Sequence, residues 1–153
     1  MRTTLREPKR GAAASRFADD LHNASLSPIV TCDDRRRLGS LMNDVQWSGD
    51  PLAVAELDEA LDGAIYVGPD EIPPSIVTMN STVELLDLRT QRRFRVTLAY
   101  PAEAELFDDS VSVLDPLGLE LLGAAAGSIV EYRDDLGVVR YRIASVVDQP
   151  ESH

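Results

Sequence analysis

The sequence is poor in the residues that build disulfides, metal centres and histidine-dependent catalytic sites. Its 153 residues include one cysteine, Cys32, and two histidines, His22 and His153. A single cysteine excludes an internal disulfide, and a structural zinc site needs about four Cys or His ligands. We therefore expect no cofactor, no Cys/His metal centre and no catalytic triad that depends on a histidine in the core.

Long apolar runs and an excess of positive charge are also missing. No run approaches the roughly 18 apolar residues that a membrane-spanning helix needs, and no secretory signal is apparent, so we expect a cytoplasmic protein. The chain carries 15 Lys and Arg against 26 Asp and Glu, a net charge of -11. This acidity disfavours both a general nucleic-acid binder and a protein that docks on an anionic membrane.

The charge is divided unevenly along the chain. Residues 1–27 carry five Lys and Arg and three Asp and Glu, whereas residues 28–153 carry 10 and 23 of them. The first segment is thus basic and has few large apolar residues, which predicts a flexible leader. Two alternatives stay open, a basic arm that touches a partner and a start codon placed too far upstream.

Residues 28–63 have the periodicity of two short helices. Thr31 fits the N-cap of the first helix, Asp50 and Pro51 fit the start of the second, and Gly63 fits its end. Two helices of about a dozen residues joined by five would pack as an antiparallel hairpin with arms of about 18 Å. The predicted apolar face of the first helix consists of Leu38, Leu41, Met42 and Val45.

From residue 64 the apolar residues recur with the period of β-strands. The clearest alternation places Phe94, Val96, Leu98 and Tyr100 on one face of a strand. Residues 64–150 are therefore predicted to form a mostly antiparallel sheet with one short helix, and the fold class is α+β. Strands are predicted at 64–67, 82–88, 93–100, 111–113, 129–133 and 138–147, and helical turns at 117–122.

Three motifs in order resemble the Rnk family, the bacterial regulators of nucleoside diphosphate kinase. Residues 76–83 (IVTMNSTV) are similar to the V-T-M-N-S strand of that family, and residues 98–101 (LAYP) to its L-V-Y-P. Residues 114–123 (LDPLGLELLG) resemble the S-P-L-G-x-A-L-L-G turn and helix that the family shares with the Gre transcript-cleavage factors.

The resemblance implies an FKBP-like C-terminal domain behind the helical hairpin. It also implies that RNA polymerase is the partner, with the domain on the rim of the secondary channel and the hairpin pointing into it. We expect a monomeric, non-enzymatic regulator that competes with Gre-type factors and makes no sequence-specific contact with nucleic acid. An aromatic content of 5% disfavours a prolyl isomerase pocket.

Two regions are candidates for partner contact. Asp115, Pro116 and Leu117 match the family turn, although the family has serine where this chain has Asp115. An N-cap aspartate and a proline in the first helical turn also have a purely structural interpretation. Trp47, in the predicted connection between the helices, fits either an anchor for a partner or a cover over the hairpin.

The resemblance to cleavage factors raises the question of a metal site at the tip of the hairpin. In those factors, acidic residues at the tip of a long coiled coil help to hold a second magnesium ion in the polymerase active site. The weak candidates here are Asp44 and Asp50. Because the predicted arms are short, we expect them to stop short of that metal and the protein not to stimulate cleavage. The alternatives are a cleavage factor with a shortened hairpin and an interaction module for another protein.

Overall fold

The computed structural model describes residues 27–43 and 50–152. Helices and strands mix, as the sequence predicts. The elements in chain order are β1 (Ile29–Thr31), α1 (Cys32–Asn43), α2 (Pro51–Asp62), β2 (Ile65–Val67), β3 (Thr82–Asp87), β4 (Arg93–Ala99), α3 (Pro101–Ala104), β5 (Ser110–Ser112), α4 (Pro116–Leu121), β6 (Ile129–Asp134) and β7 (Gly137–Asp148), with a 3-10 turn at Pro150–Ser152.

The predicted starts of both long helices are confirmed. Thr31 Oγ1 accepts a hydrogen bond from the Asp34 N–H at 3.0 Å, and Asp50 Oδ1 accepts one from the Leu52 N–H at 3.1 Å. Each bond satisfies an N–H that has no partner within its own helix. The second helix ends before Gly63, as predicted.

The two helices have the predicted length of 12 residues each. Leu38 of α1 and Leu57 and Leu61 of α2 are buried in one cluster with residues of the sheet. The connecting residues 44–49 lie outside the described part of the chain, so the pairing of the helices as a hairpin stays a prediction. The helices and the sheet share a hydrophobic core.

A five-stranded sheet in the order β5-β4-β3-β7-β6 forms most of the C-terminal half. Its pairs are antiparallel, as predicted, except that β5 lies parallel to β4. The register of β3 against β7 shifts at two places, which bends the sheet. Its inner face supplies the core, in which Val83, Leu85 and Ile143 are fully buried.

A second, two-stranded sheet was not predicted. Strand β1 pairs with β2 in parallel, and the helices α1 and α2 connect them. On its other side, the Ile29 N–H donates to the Gly123 carbonyl at 3.1 Å. Gly123 has a φ of +79°, and an added Cβ would lie 2.4 Å from Pro28, so only glycine fits this approach. Strand β1, which leads into α1, is therefore hydrogen-bonded to Gly123, just after the end of α4.

The end of the chain fastens the segment that leads into β3. The buried Gln149 side chain donates to the carbonyls of Pro73 and Ile76, each at 2.8 Å. The Thr78 hydroxyl donates to Glu151 at 2.7 Å. Among the described residues, no helix is long and apolar enough to cross a membrane.

Candidate partner-binding site

The turn before α4 presents the three residues that the sequence singled out. It follows β5 directly, where the Asp115 N–H donates to the Ser112 carbonyl at 3.0 Å and the Leu114 N–H donates to the Ser112 hydroxyl at 3.1 Å. Asp115 and Pro116 are exposed, and Leu117 is half-buried. The turn therefore brings a carboxylate and two apolar side chains together at the surface.

Helix α4 is held firmly below this turn. Leu121 is fully buried, and a Cβ added to Gly118 would lie 1.9 Å from the Ser112 carbonyl oxygen. The glycine thus allows α4 to lie directly on the backbone of β5. Because the helix cannot shift without breaking this contact, the turn has a fixed position on the domain.

The carboxylate of Asp115 is not used to cap the helix. Asp115 has the extended backbone of an N-cap residue (φ -75°, ψ 151°), but its side chain makes no capping hydrogen bond. The structure thus places Asp115 at the N-cap position and does not support the capping role that the sequence left open for its side chain. Its oxygens are free to accept hydrogen bonds from a partner.

Of the three candidates at the predicted hairpin tip, the structure describes Asp50. Asp50 is exposed and caps α2 through its Oδ1 atom. Asp44 and Trp47 lie outside the described residues. Within the described ranges, no group of three His, Cys, Asp or Glu side chains could hold a metal ion.

A shallow, acidic groove lies between α2 and α4. It has a volume of about 420 Å³, and its lining includes Glu56, Glu59 and Glu120. Burial raises the pKa of Glu120, and the charges of Glu131 and Glu56 raise it further. The groove thus adds negative charge to the side of the domain on which α4 lies.

Sequence reasoning missed Asp34, which lies in the first turn of α1. Asp34 is 1% exposed, and its Oδ2 atom accepts a hydrogen bond from the Met79 N–H at 3.1 Å. Arg37 lies 3.7 Å from its other carboxylate oxygen. Burial raises the pKa of Asp34 to about 6, and the charge of Glu151 adds to this effect. No periodicity could reveal a contact between residues 45 positions apart.

The partner of Asp34 belongs to the first of the three family motifs. Thr78, Met79 and Asn80 form a tight turn before β3, in which the Thr78 N–H donates to the Ser81 hydroxyl at 2.9 Å. Asn80 has a φ of 71°, a conformation that asparagine tolerates better than most residues. This motif therefore has a structural role, which is to connect α1 to the sheet.

Comparison with known proteins identifies the family. The profile described as "Transcription elongation factor, GreA/GreB, C-term" matches residues 72–148. The "Regulator of nucleoside diphosphate kinase" of Escherichia coli strain K12 is 32% identical over 125 residues, covering 81% of this chain and 91% of that protein. The chain belongs to the Rnk family. Its resemblance to the Gre factors, inferred from residues 114–123, is confirmed by the same profile.

Other relatives of this Rnk-family chain are elongation factors. GreA of Clostridioides difficile strain 630 is 28% identical over 142 residues, covering 93% of this chain and 84% of that protein. The solved structure "Prokaryotic transcription elongation factor GreA/GreB from Nitrosomonas europaea" is 34% identical with a TM-score of 0.67, and covers 80% of this chain and 98% of that one. These relatives are named as regulators or elongation factors, and the C-terminal domain has the GreA-like fold.

Proposed function

We propose that this protein is a non-enzymatic transcription regulator that binds RNA polymerase at the rim of the secondary channel. The turn at Asp115, Pro116 and Leu117 makes the contact. The observation that carries this proposal is that Asp115 stands at the N-cap of α4 without capping it. Since the side chain contributes no local hydrogen bond, its placement beside two accessible apolar residues suits a partner interface, where a charged rim surrounds an apolar centre.

The helices α1 and α2 form the second part of the proposal. We propose that residues 28–63 are an antiparallel hairpin, that residues 64–150 form an FKBP-like domain, and that the hairpin enters the channel from the rim. Each helix is about 18 Å long, from a rise of 1.5 Å per residue. Asp50 already accepts a hydrogen bond from its own helix. Because the arms are short and Asp50 is used as a helix cap, the hairpin does not supply a metal ligand to the polymerase and does not stimulate transcript cleavage. It obstructs the channel and so excludes Gre-type factors.

The test of the contact is a double substitution in the turn, Pro116→Ser with Leu117→Gln. We expect the variant to fold and to lose most of its co-purification with RNA polymerase from cell extract. The matched control is Leu106→Gln with Phe107→Ser, since this pair is also exposed (75% and 58%) but lies at the other end of β5. If both variants co-purify equally well with RNA polymerase, the turn is not the contact site. If the wild type instead co-purifies with a different protein, the result favours an interaction module for that partner.

A separate assay tests the absence of cleavage. Adding the protein to a backtracked polymerase complex in the presence of Mg²⁺ should produce no accelerated cleavage of the transcript. Adding it together with GreA should slow the cleavage that GreA stimulates. Rapid cleavage with the protein alone would instead support a cleavage factor with a shortened hairpin.

A further inference from the structure

The outer face of the five-stranded sheet is basic, although the chain as a whole has a net charge of -11. Residues that lie directly opposite one another on neighbouring strands share a face. The register places Leu86 opposite both Arg93 and Arg142, on the side away from the buried Leu85. The same registers bring five arginines to this side, which we name the arginine face: Arg93, Arg95, Arg133, Arg140 and Arg142.

Most of these arginines have no counter-ion. Within the described residues, Arg140 alone of the five forms an ion pair, with Glu131 at 2.8 Å. The other carboxylates that the register puts on this side are Glu84 and Asp148. All five arginines are exposed. With five arginines and the three carboxylates Glu84, Glu131 and Asp148, the face has a net charge of +2.

The contrast with helix α2 is strong. No Lys or Arg occurs from residue 38 to residue 88, a stretch that includes all of α2 and β3. Helix α2 alone carries Glu56, Asp58, Glu59 and Asp62. Helix α2 and the arginine face therefore have opposite net charges, and the arginine face attracts a negatively charged partner.

The other side chains on the face favour a protein over a nucleic acid. Ile129 and Val138 lie between the arginines and are 51% and 46% exposed. Arginine is enriched at protein interfaces, and the centre of an interface is more apolar than its rim. Single-stranded nucleic acids instead stack on aromatic rings. The aromatic side chains of these strands are Phe94, Tyr132 and Tyr141, and the register puts them on the inner face, where they contact one another.

We propose that the arginine face binds an acidic protein segment, one that bears carboxylates together with aliphatic side chains. Arg93 and Arg142 lie on strands two apart, which places their backbones about 10 Å from each other across Leu86. Carboxylates of the segment pair with these guanidinium groups, which match carboxylate geometry in a bidentate manner. Aliphatic side chains of the segment cover Leu86 and Ile129. This surface lies on β3, β4, β6 and β7, apart from the turn before α4.

The test uses the full chain and a fluorescein-labelled peptide rich in glutamate and leucine. We expect fluorescence anisotropy to show binding at low ionic strength and its loss at roughly 1 M sodium chloride, where the screening length falls to about 3 Å. The double variant Arg93→Gln with Arg142→Gln should weaken this binding about tenfold. The control Arg35→Gln with Arg36→Gln removes the same amount of charge from exposed positions of α1 and should leave the binding unchanged.

Three results would overturn the proposal. Equal weakening by both double variants would mean that only net charge matters. Tighter binding of a labelled oligouridylate of equal net charge would assign the face to nucleic acid. Absence of any peptide binding at low ionic strength would leave the face without an acidic protein partner. Circular dichroism of each variant, compared with the wild type, establishes that the substitutions leave the sheet folded.

Discussion

The N-termini of α1 and α4 begin with similar residues and use them differently. At α1, Thr31 caps the helix and the carboxylate of Asp34 is buried against the Met79 N–H. At α4, Asp115 occupies the N-cap position, is exposed, and makes no capping bond. The first helix start stabilises the fold, whereas the second leaves its polar group available to a partner. Thr31 and Asp115 both occupy an N-cap position, and only Thr31, which is buried, makes the capping bond.

The largest effect is expected from a methyl group added below the turn of α4. In Gly118→Ala the new Cβ would meet the Ser112 carbonyl oxygen at 1.9 Å, so α4 has to move off β5. We expect a loss of about 3 kcal/mol or more in the free energy of unfolding, measured with urea. In Gly39→Ala the Cβ meets nothing within 4 Å. This control in α1 should stabilise the protein by about 0.5–1 kcal/mol. Similar free energies of unfolding for the two variants would contradict the close contact between α4 and the backbone of β5.

Removal of the buried carboxylate should have the next largest effect. Asp34→Ala leaves the Met79 N–H without its hydrogen-bond acceptor in a buried position. We expect the free energy of unfolding to fall by about 1–3 kcal/mol. Its neighbour Asp33 makes an exposed ion pair with Arg36, so Asp33→Ala should change it by no more than about 0.5 kcal/mol. Equal effects in urea denaturation would argue against the burial of Asp34.

The raised pKa of Asp34 predicts a specific pH dependence. Because this pKa is about 6 in the folded state, above the ordinary value of 3.8, the folded protein binds the proton more tightly than the unfolded chain. The resulting stabilisation is complete below the ordinary pKa and is lost as the pH rises through about 6. Asp34→Asn keeps an acceptor for the Met79 N–H but cannot titrate. Its stability relative to the wild type should rise by about 1–3 kcal/mol from about pH 4 to pH 7. Parallel pH profiles for the two proteins would refute this.

The smallest change in stability is expected when the two N-cap side chains, Thr31 and Asp115, are replaced. Thr31→Val keeps the shape of the side chain but removes the hydroxyl that accepts from Asp34, so we expect a loss of about 1 kcal/mol in the free energy of unfolding. Asp115→Ala removes no hydrogen bond and should stay within about 0.5 kcal/mol of the wild type. Thermal unfolding followed by circular dichroism measures both. A loss in Asp115→Ala that equals the loss in Thr31→Val would mean that Asp115 does cap α4.

Local patterns in the sequence predicted the local structure well. The caps at Thr31 and Asp50 and the end of α2 before Gly63 depend only on nearby residues, and all are confirmed. In β4, Val96 and Leu98 are buried as their alternation predicts, while Phe94 is 38% exposed. Phe94 lies near the start of β4, beside Tyr141. Alternation predicts which face of the sheet a side chain is on, but not how deeply it is buried.

Contacts between distant segments were not predictable in the same way. The strand β1 has only three residues, too few to show a period, and its two neighbours, β2 and the Gly123 carbonyl, are far away in the chain. The hydrogen bond from the Met79 N–H to Asp34 also joins segments that are far apart in the chain, so no local pattern predicts it. For the candidate site, the motif at Asp115, Pro116 and Leu117 identified where to look, but the missing cap could be seen only in three dimensions.

The position of β7 in the sheet has a consequence for the synthesis of the protein. Among the described strands of this sheet, β7 comes last in the sequence, yet it lies between β3 and β6, and Gln149 just after it holds the segment that leads into β3. Until β7 arrives, one edge of β3 and one edge of β6 stay unpaired and open to wrong partners. The GreA-like domain of this chain therefore completes its sheet only after β7 has been synthesised.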